Sequence, residues 1–414
     1  MTAYLLDLLR LPVGVRRFLM TEALYGIGIG MYALVLNLHL LSQGLRENEI
    51  GTLASVGILI MGVSAIPVSL LARRMGRKRL LVAGILFIAA GNAFYASSGN
   101  LLGFFAAQTL VSVGLTLVET TETQLLFHYC SSRQDETRAY SLMFAVFTAF
   151  AGAGTLAAGN ISVVMATGGG YRNQLLLACL VLLVLGTIRG LWLPSEKRTS
   201  SEKANLRKTE RLKLKGKLPG KTIWLFSSFL ALLGGAFALT GSFLNVIVKF
   251  RLDWTDDKMS LLLAANGLIL FFCSLLTPYV SERFGQSASL TFAFIGNVLF
   301  FGLLYCQFPT TIFLFLFLMR GGGTTMLSNL ADSQLMSTFE DRERDLFAGM
   351  RSVFRSVGSS GATLLAGRLL AGRDYRTPFL LTAIALSLAF VFYSLWVRPR
   401  LSAGSRSNDS RIRE

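Results

Sequence analysis

The chain has 414 residues, of which 53% are hydrophobic and 15% charged; a soluble chain carries about 25% charged residues, so the composition argues against a water-soluble fold. The formal charge of +17 raises nucleic acid as a partner, but the basic residues stand between apolar stretches, as positive-inside sorting places them, and no nucleic acid is expected. The two histidines, and four cysteines scattered singly through or beside apolar segments, leave no metal-ligand spacing, so no metal or other cofactor is expected.

In chain order, Tyr4–Val15 is amphipathic and predicts a helix at the cytoplasmic surface. Arg16-Arg17-Phe18-Leu19 faintly resembles a twin-arginine signal, but the following apolar run contains Glu22 and has no small-residue cleavage site, so it reads as a retained first span. Twelve spans are predicted. The first six are Phe18–Leu41, Ile50–Ala72, Leu80–Ser98, Leu101–Phe127, Ala139–Ala166 and Arg172–Leu193. The second six are Thr222–Lys249, Lys258–Val280, Ser287–Cys306, Thr310–Thr338, Asp345–Leu370 and Thr377–Val397. Each approaches the ~20 residues that a helix needs to cross a bilayer. The runs are too uniformly apolar for barrel strands, which alternate, so an all-α membrane protein follows.

Between the sixes lies Pro194–Lys221, with ten Lys or Arg against three Glu. That composition reads as a polar basic linker. The expected organisation is therefore a first half at 1–193, a linker at 194–221, a second half at 222–397 and a tail at 398–414. With the N-terminus inside, inner segments hold about 28 Lys or Arg and outer ones about 8, which sets both termini on the cytoplasmic side of a cell membrane whose anionic lipids attract them. The halves repeat: Glu122-Thr123-Gln124-Leu125 returns 210 residues later as Asp332-Ser333-Gln334-Leu335, and Arg74-Met75-Gly76 returns as Arg283-Phe284-Gly285.

Ionisable and amide groups inside the spans are candidate functional residues, because lipid penalises them. Glu22 and Glu119 are candidate proton carriers. Asn37, Gln108, Asn245, Asn266, Arg320 and Arg355 are candidate cavity residues. Arg320, Thr324, Ser328 and Asp332 recur every four residues and share a helix face, as do Arg351 and Arg355. The acids gather in the first half and the deep arginines in the second, which predicts a central cavity with one acidic and one basic wall. Gly321-Gly322-Gly323-Thr324 lacks the Gly-Lys-Ser/Thr ending of a phosphate loop; with no nucleotide signature, the energy source is expected to be a gradient. There is no catalytic dyad, and an enzyme is not expected.

Twelve spans, a central linker and repeated halves resemble the major facilitator superfamily of transporters, in particular bacterial exporters of drugs or metabolites. The most specific mark is Ser69-Leu70-Leu71-Ala72-Arg73-Arg74-Met75-Gly76-Arg77-Lys78. It keeps the Arg-x-Gly-Arg-Lys of the family loop between spans two and three, with Ser69 for its Gly and Arg73 for its Asp; the second half keeps the acid as Glu282. The resemblance implies a cytoplasmic gate formed by Arg74 or Arg77 with Glu122, and by Arg283 with Asp332, Arg351 being a further partner for Asp332. It implies alternating access by a monomer that carries a small amphipathic molecule, with protons as the coupling ion and export as the direction. Import or uniport of a polar nutrient, and lipid flipping on the same fold, are the alternatives.

Overall fold

The computed structural model describes residues 11–164, 170–195, 220–339 and 341–401. The segment before residue 11, most of the basic linker and the tail from 402 lie outside the described residues, as do the expectations placed on them. Every described element is helical. In the first half these are α1 (Val13–Ser42), α2 (Glu47–Met75), α3 (Arg77–Ser97), α4 (Leu101–His128), α5 (Arg133–Val164) and α6 (Gly170–Trp192). In the second half they are α7 (Lys221–Gly241), α8 (Leu244–Leu252), α9 (Asp256–Phe284), α10 (Gln286–Tyr305), α11 (Thr310–Ser337), α12 (Asp341–Ala371) and α13 (Thr377–Phe392). A π-helical turn, Tyr393–Val397, extends α13.

Eleven of the described helices are long and apolar enough to cross a membrane. The twelfth expected span is α12, whose 31 residues suffice in length but whose Arg351, Arg355, Arg368 and Gly-Ser run keep it from being apolar. It can be polar because it is packed between α2 and α7. The seventh span was expected to be continuous. It breaks at Ser242-Phe243 into α7 and α8, where the Asn245 Oδ1 accepts the N–H of Val246 at 2.9 Å and so competes with the helical ladder.

The interhelical packing is twofold. In the first half α1 packs on α5 and α6, and α3 on α4 and α6; in the second α7 packs on α12 and α13, and α10 on α11 and α13. The halves meet along α2–α12 and α5–α9. Two crossings fix the repeat. A Cβ on Gly30 would collide with the Ala151 carbonyl and one on Gly154 with the Ile27 backbone; a Cβ on Gly358 would collide with the Ala231 carbonyl, and one on Gly234 would press on Arg355. Ile27 and Ala231 are 204 residues apart, as are Gly154 and Gly358, so α1–α5 and α7–α12 are the same close crossing made twice. The last spans obey the same offset: Tyr171-Arg172 and Leu191-Trp192 return as Tyr375-Arg376 and Leu395-Trp396.

The glycine of the repeated loop also has its reason. Gly76 alone turns α2 into α3 at φ 96°, and Gly285 turns α9 into α10 at φ 81°, values that side chains with a Cβ rarely adopt. Around both halves, large apolar residues such as Leu180, Val184, Phe292 and Leu299 are exposed, as a lipid-facing girdle requires. Aromatic packing fills the second half, with Phe229, Phe294 and Tyr393 ring to ring.

Candidate functional site

With twelve spans, both termini and the linker fall on one side of the bundle. A set of hydrogen bonds joins the halves towards the other side. Asn37 of α1 donates from Nδ2 to the Ser242 carbonyl and to Asn245 Oδ1, both at 3.0 Å. Asn245 Nδ2 donates back to the Leu34 carbonyl at 2.8 Å. Ser55 of α2 and Ser360 of α12 share a hydrogen bond of 2.6 Å. Tyr171 of α6 donates to Asp256 at 2.7 Å, and Lys249 donates to Tyr171 at 2.9 Å and pairs with Asp256 at 2.5 Å. The bundle is sealed at the face away from the termini.

A cavity of about 410 Å³ begins at that seal, between the halves. This size suits a small organic molecule. Of the expected cavity residues, Asn37, Gln108 and Asn245 line it. Asn245 is 4% exposed and both its amide groups are committed, so it holds the helix break in place. Gln108 accepts from the Tyr95 hydroxyl and donates to Ser112 Oγ at 3.1 Å, which orients its amide and leaves one Nε2 hydrogen for a ligand. Asn37 likewise keeps Oδ1 as a free acceptor. Tyr32 and Thr155 add to the wall.

No side chain lining this cavity is charged. The expected acidic and basic walls are therefore not its walls. Arg320 is 4% exposed and stacks over Phe317 and Phe301, with ring centroids at 4.6 and 5.7 Å, so it packs between α11 and α10. Asn266 is buried against Gly321. Arg355 donates to Asp332 at 3.2 Å and to Ser328 at 3.5 Å, and Arg351 pairs with the same Asp332 at 3.1 Å. Two guanidiniums on one i,i+4 face thus clasp one carboxylate.

Several of the remaining gate residues make contacts inside their own halves. Arg77 donates to Gln124 at 3.3 Å. Arg74, Glu282 and Arg283 are exposed, and Arg283 donates to Tyr279 of its own helix at 2.7 Å. Glu122 faces α6 rather than the α2–α3 loop. Its Oε1 lies 3.7 Å from Arg189, which also pairs with Glu22 at 2.5 Å. Arg189 donates to Thr21 Oγ1 at 3.1 Å and sits over the rings of Phe18 and Tyr25. Arg189 and Glu22 are 0% and 1% exposed. Glu22 and Glu122 thus converge from α1 and α4 on the one guanidinium. Glu119, one turn from Glu122, is exposed and makes no ion pair among the described residues. Arg189 is the buried charge that sequence reasoning missed; the signal was an arginine inside the sixth span.

Two six-helix halves, related by an internal repeat and enclosing a small cavity closed at one face, define a membrane transporter and not an enzyme. The Major Facilitator Superfamily profile matches residues 18–255 and again 225–413, and the chain belongs to that family. No curated protein matches the sequence. Among solved structures, the nucleoside transporter NupG is similar over 92% of this chain and 98% of its own, with 15% identity and a TM-score of 0.70. A structure described as concerning substrate recognition in proton dependent oligopeptide transporters is similar over 94% and 99%, with 13% identity and a TM-score of 0.72. A bacterial homologue of the iron transporter ferroportin, in an inward-facing state, is similar over 92% and 98%, with 16% identity and a TM-score of 0.68. At these identities the likeness is one of fold.

Proposed function

We propose that this chain is a secondary transporter of the cell membrane that exports small amphipathic molecules in exchange for protons, by alternating access, and that its substrate carries hydrogen-bonding but uncharged groups at the bound end. One observation carries the substrate class: the cavity offers the free Asn37 Oδ1 and Gln108 Nε2 among apolar walls and no charge. A charged head would enter without a counter-ion, which a low-dielectric site penalises by several kcal/mol. With the termini cytoplasmic, the sealed face is the outer one and the cavity awaits substrate from inside. Arg74, Glu282 and Arg283, exposed on the side of the termini, and the half-buried Arg77 are then the charges that meet when the bundle rocks closed.

Import or uniport of a polar, uncharged nutrient is the second reading, favoured by the same amide lining. The flippase reading has lost its anchor, since Arg320 is packed among phenylalanines away from the cavity.

The test uses proteoliposomes holding a pH gradient and a panel of uncharged, cationic and anionic amphiphiles. Uncharged hydrogen-bonding members are expected to dissipate the gradient, and Gln108→Ala to raise KM about tenfold, the loss of roughly one hydrogen bond. Dissipation by cations alone, unaltered in Gln108→Ala, would overturn this substrate class. Substrate counterflow without dissipation would replace antiport by uniport.

A further inference from the structure

The two halves solve one structural position in opposite ways. At the 204-residue offset, Glu22 corresponds to Phe226 and Arg189 to Tyr393. Phe226 packs edge-on to Phe339 and Phe347, and Tyr393 packs on Phe229. An aromatic core therefore suffices at this place in the fold. Buried ion clusters can often be replaced by apolar residues of similar volume with no loss of stability, so the first half carries charges that packing does not demand.

Those charges do not balance. Two carboxylates, Glu22 and Glu122, face one guanidinium, Arg189, and leave a net negative charge in a buried site within the membrane. One added proton makes the cluster neutral. Two buried carboxyl groups that face one guanidinium do not both ionise readily. Tyr25 of α1, over whose ring Arg189 sits, and Glu119 of α4, one turn from Glu122, are the titratable groups beside the cluster, while α5 contributes Phe147, packed on the Tyr25 ring. Neither adds a positive charge. Glu122 is 13% exposed while its partners are closed off, so it is the edge at which a proton enters.

We propose that Glu22 and Glu122 hold a single proton between them against Arg189, forming a proton-binding site in the first half that the second half lacks. Its part in transport rests on the proton-coupled reading above; its occupancy does not. Glu119, exposed and outside the cluster, is not the carrier.

The experiment is infrared difference spectroscopy on the full chain in lipid at neutral pH, with exchange from water to D2O. Wild type is expected to show the carbonyl band of one buried, protonated carboxylic acid. Because the proton exists only while two acids oppose one arginine, Glu22→Gln and Glu122→Gln should each abolish the whole band, and Glu119→Gln should leave it intact. Both glutamine variants keep one acid for Arg189, so their folding is expected to survive, checked by size-exclusion elution. Absence of the band in wild type overturns the proposal whatever the variants do. So does a band lost in Glu119→Gln, or one halved in either single variant. A band that behaves as expected, in a protein that dissipates no pH gradient with any substrate, keeps the proton site and removes the antiport reading.

Discussion

Replacing Arg189 by methionine is expected to destabilise the protein by about 3–5 kcal/mol, the cost of removing one partner from a buried ion pair. The side chain is fully buried, holds Glu22 at 2.5 Å and Thr21 at 3.1 Å, and fills the space between Phe18 and Tyr25. Methionine keeps most of the volume and none of the charge, so the loss isolates electrostatics from packing. Thermal unfolding in detergent should show a large drop in Tm for Arg189→Met. Adding Glu22→Gln and Glu122→Gln to that variant should recover most of it, because the carboxylates that need a partner are gone. A single Arg189→Met with wild-type stability would mean that water reaches the cluster. Glu22→Gln alone is expected to be far milder, since Glu122 remains to face the arginine.

A cross-link between α2 and α12 is the second large effect. Ser55 and Ser360 touch through their hydroxyl oxygens at 2.6 Å across the seal between the halves. Cysteines at both positions are therefore expected to oxidise readily to a disulfide, with exposed Cys306 replaced by serine to remove background. Alternating access requires this face to part. Transport in the oxidised double variant should fall at least about tenfold, an obstacle to a conformational step and not to binding, and return on reduction. Each single cysteine should be close to wild type. Full transport by a completely cross-linked protein would show that the α2–α12 seam does not open and that the seal at Asn37 and Asn245 is not a gate.

Much of the architecture was legible because it follows from local chemistry. Apolar runs interrupted by basic loops give spans and their boundaries. The Gly76 and Gly285 loops could be matched because a turn of one residue at positive φ leaves few choices of side chain. Asn37, Gln108 and Asn245 stood out as amides in apolar runs, and all three line the cavity. What sequence could not supply was rotation about each helix axis. Arg320 and Arg355 are both arginines inside expected spans, yet one lies over phenylalanine rings, one of them from α10, and the other grips Asp332 of α11; the neighbouring helix decides, and it comes from elsewhere in the chain. Arg189 was overlooked because it lies close to the end of α6, where an arginine ordinarily snorkels to water. Here α1 and α4 cover it. The break in the seventh span follows Thr240-Gly241-Ser242, weak helix formers that are tolerated inside many spans, and is held by one asparagine bonded to the other half.

The polarity of α12 bears on how the chain enters the membrane. Two arginines and a stretch of glycine and serine make its transfer from the insertion machinery into lipid unfavourable by itself, since an arginine at mid-membrane costs about 2.5–3.5 kcal/mol on insertion scales. Its partners α2 and α7 both precede it in the chain. As α12 emerges from the ribosome, it can be received by a groove these two already form, one wall from each half, and Asp332 of the preceding span α11 is in place to meet Arg351 and Arg355. The second six-helix half is then not a self-sufficient product of synthesis: it needs the first in the bilayer before its own penultimate span can settle.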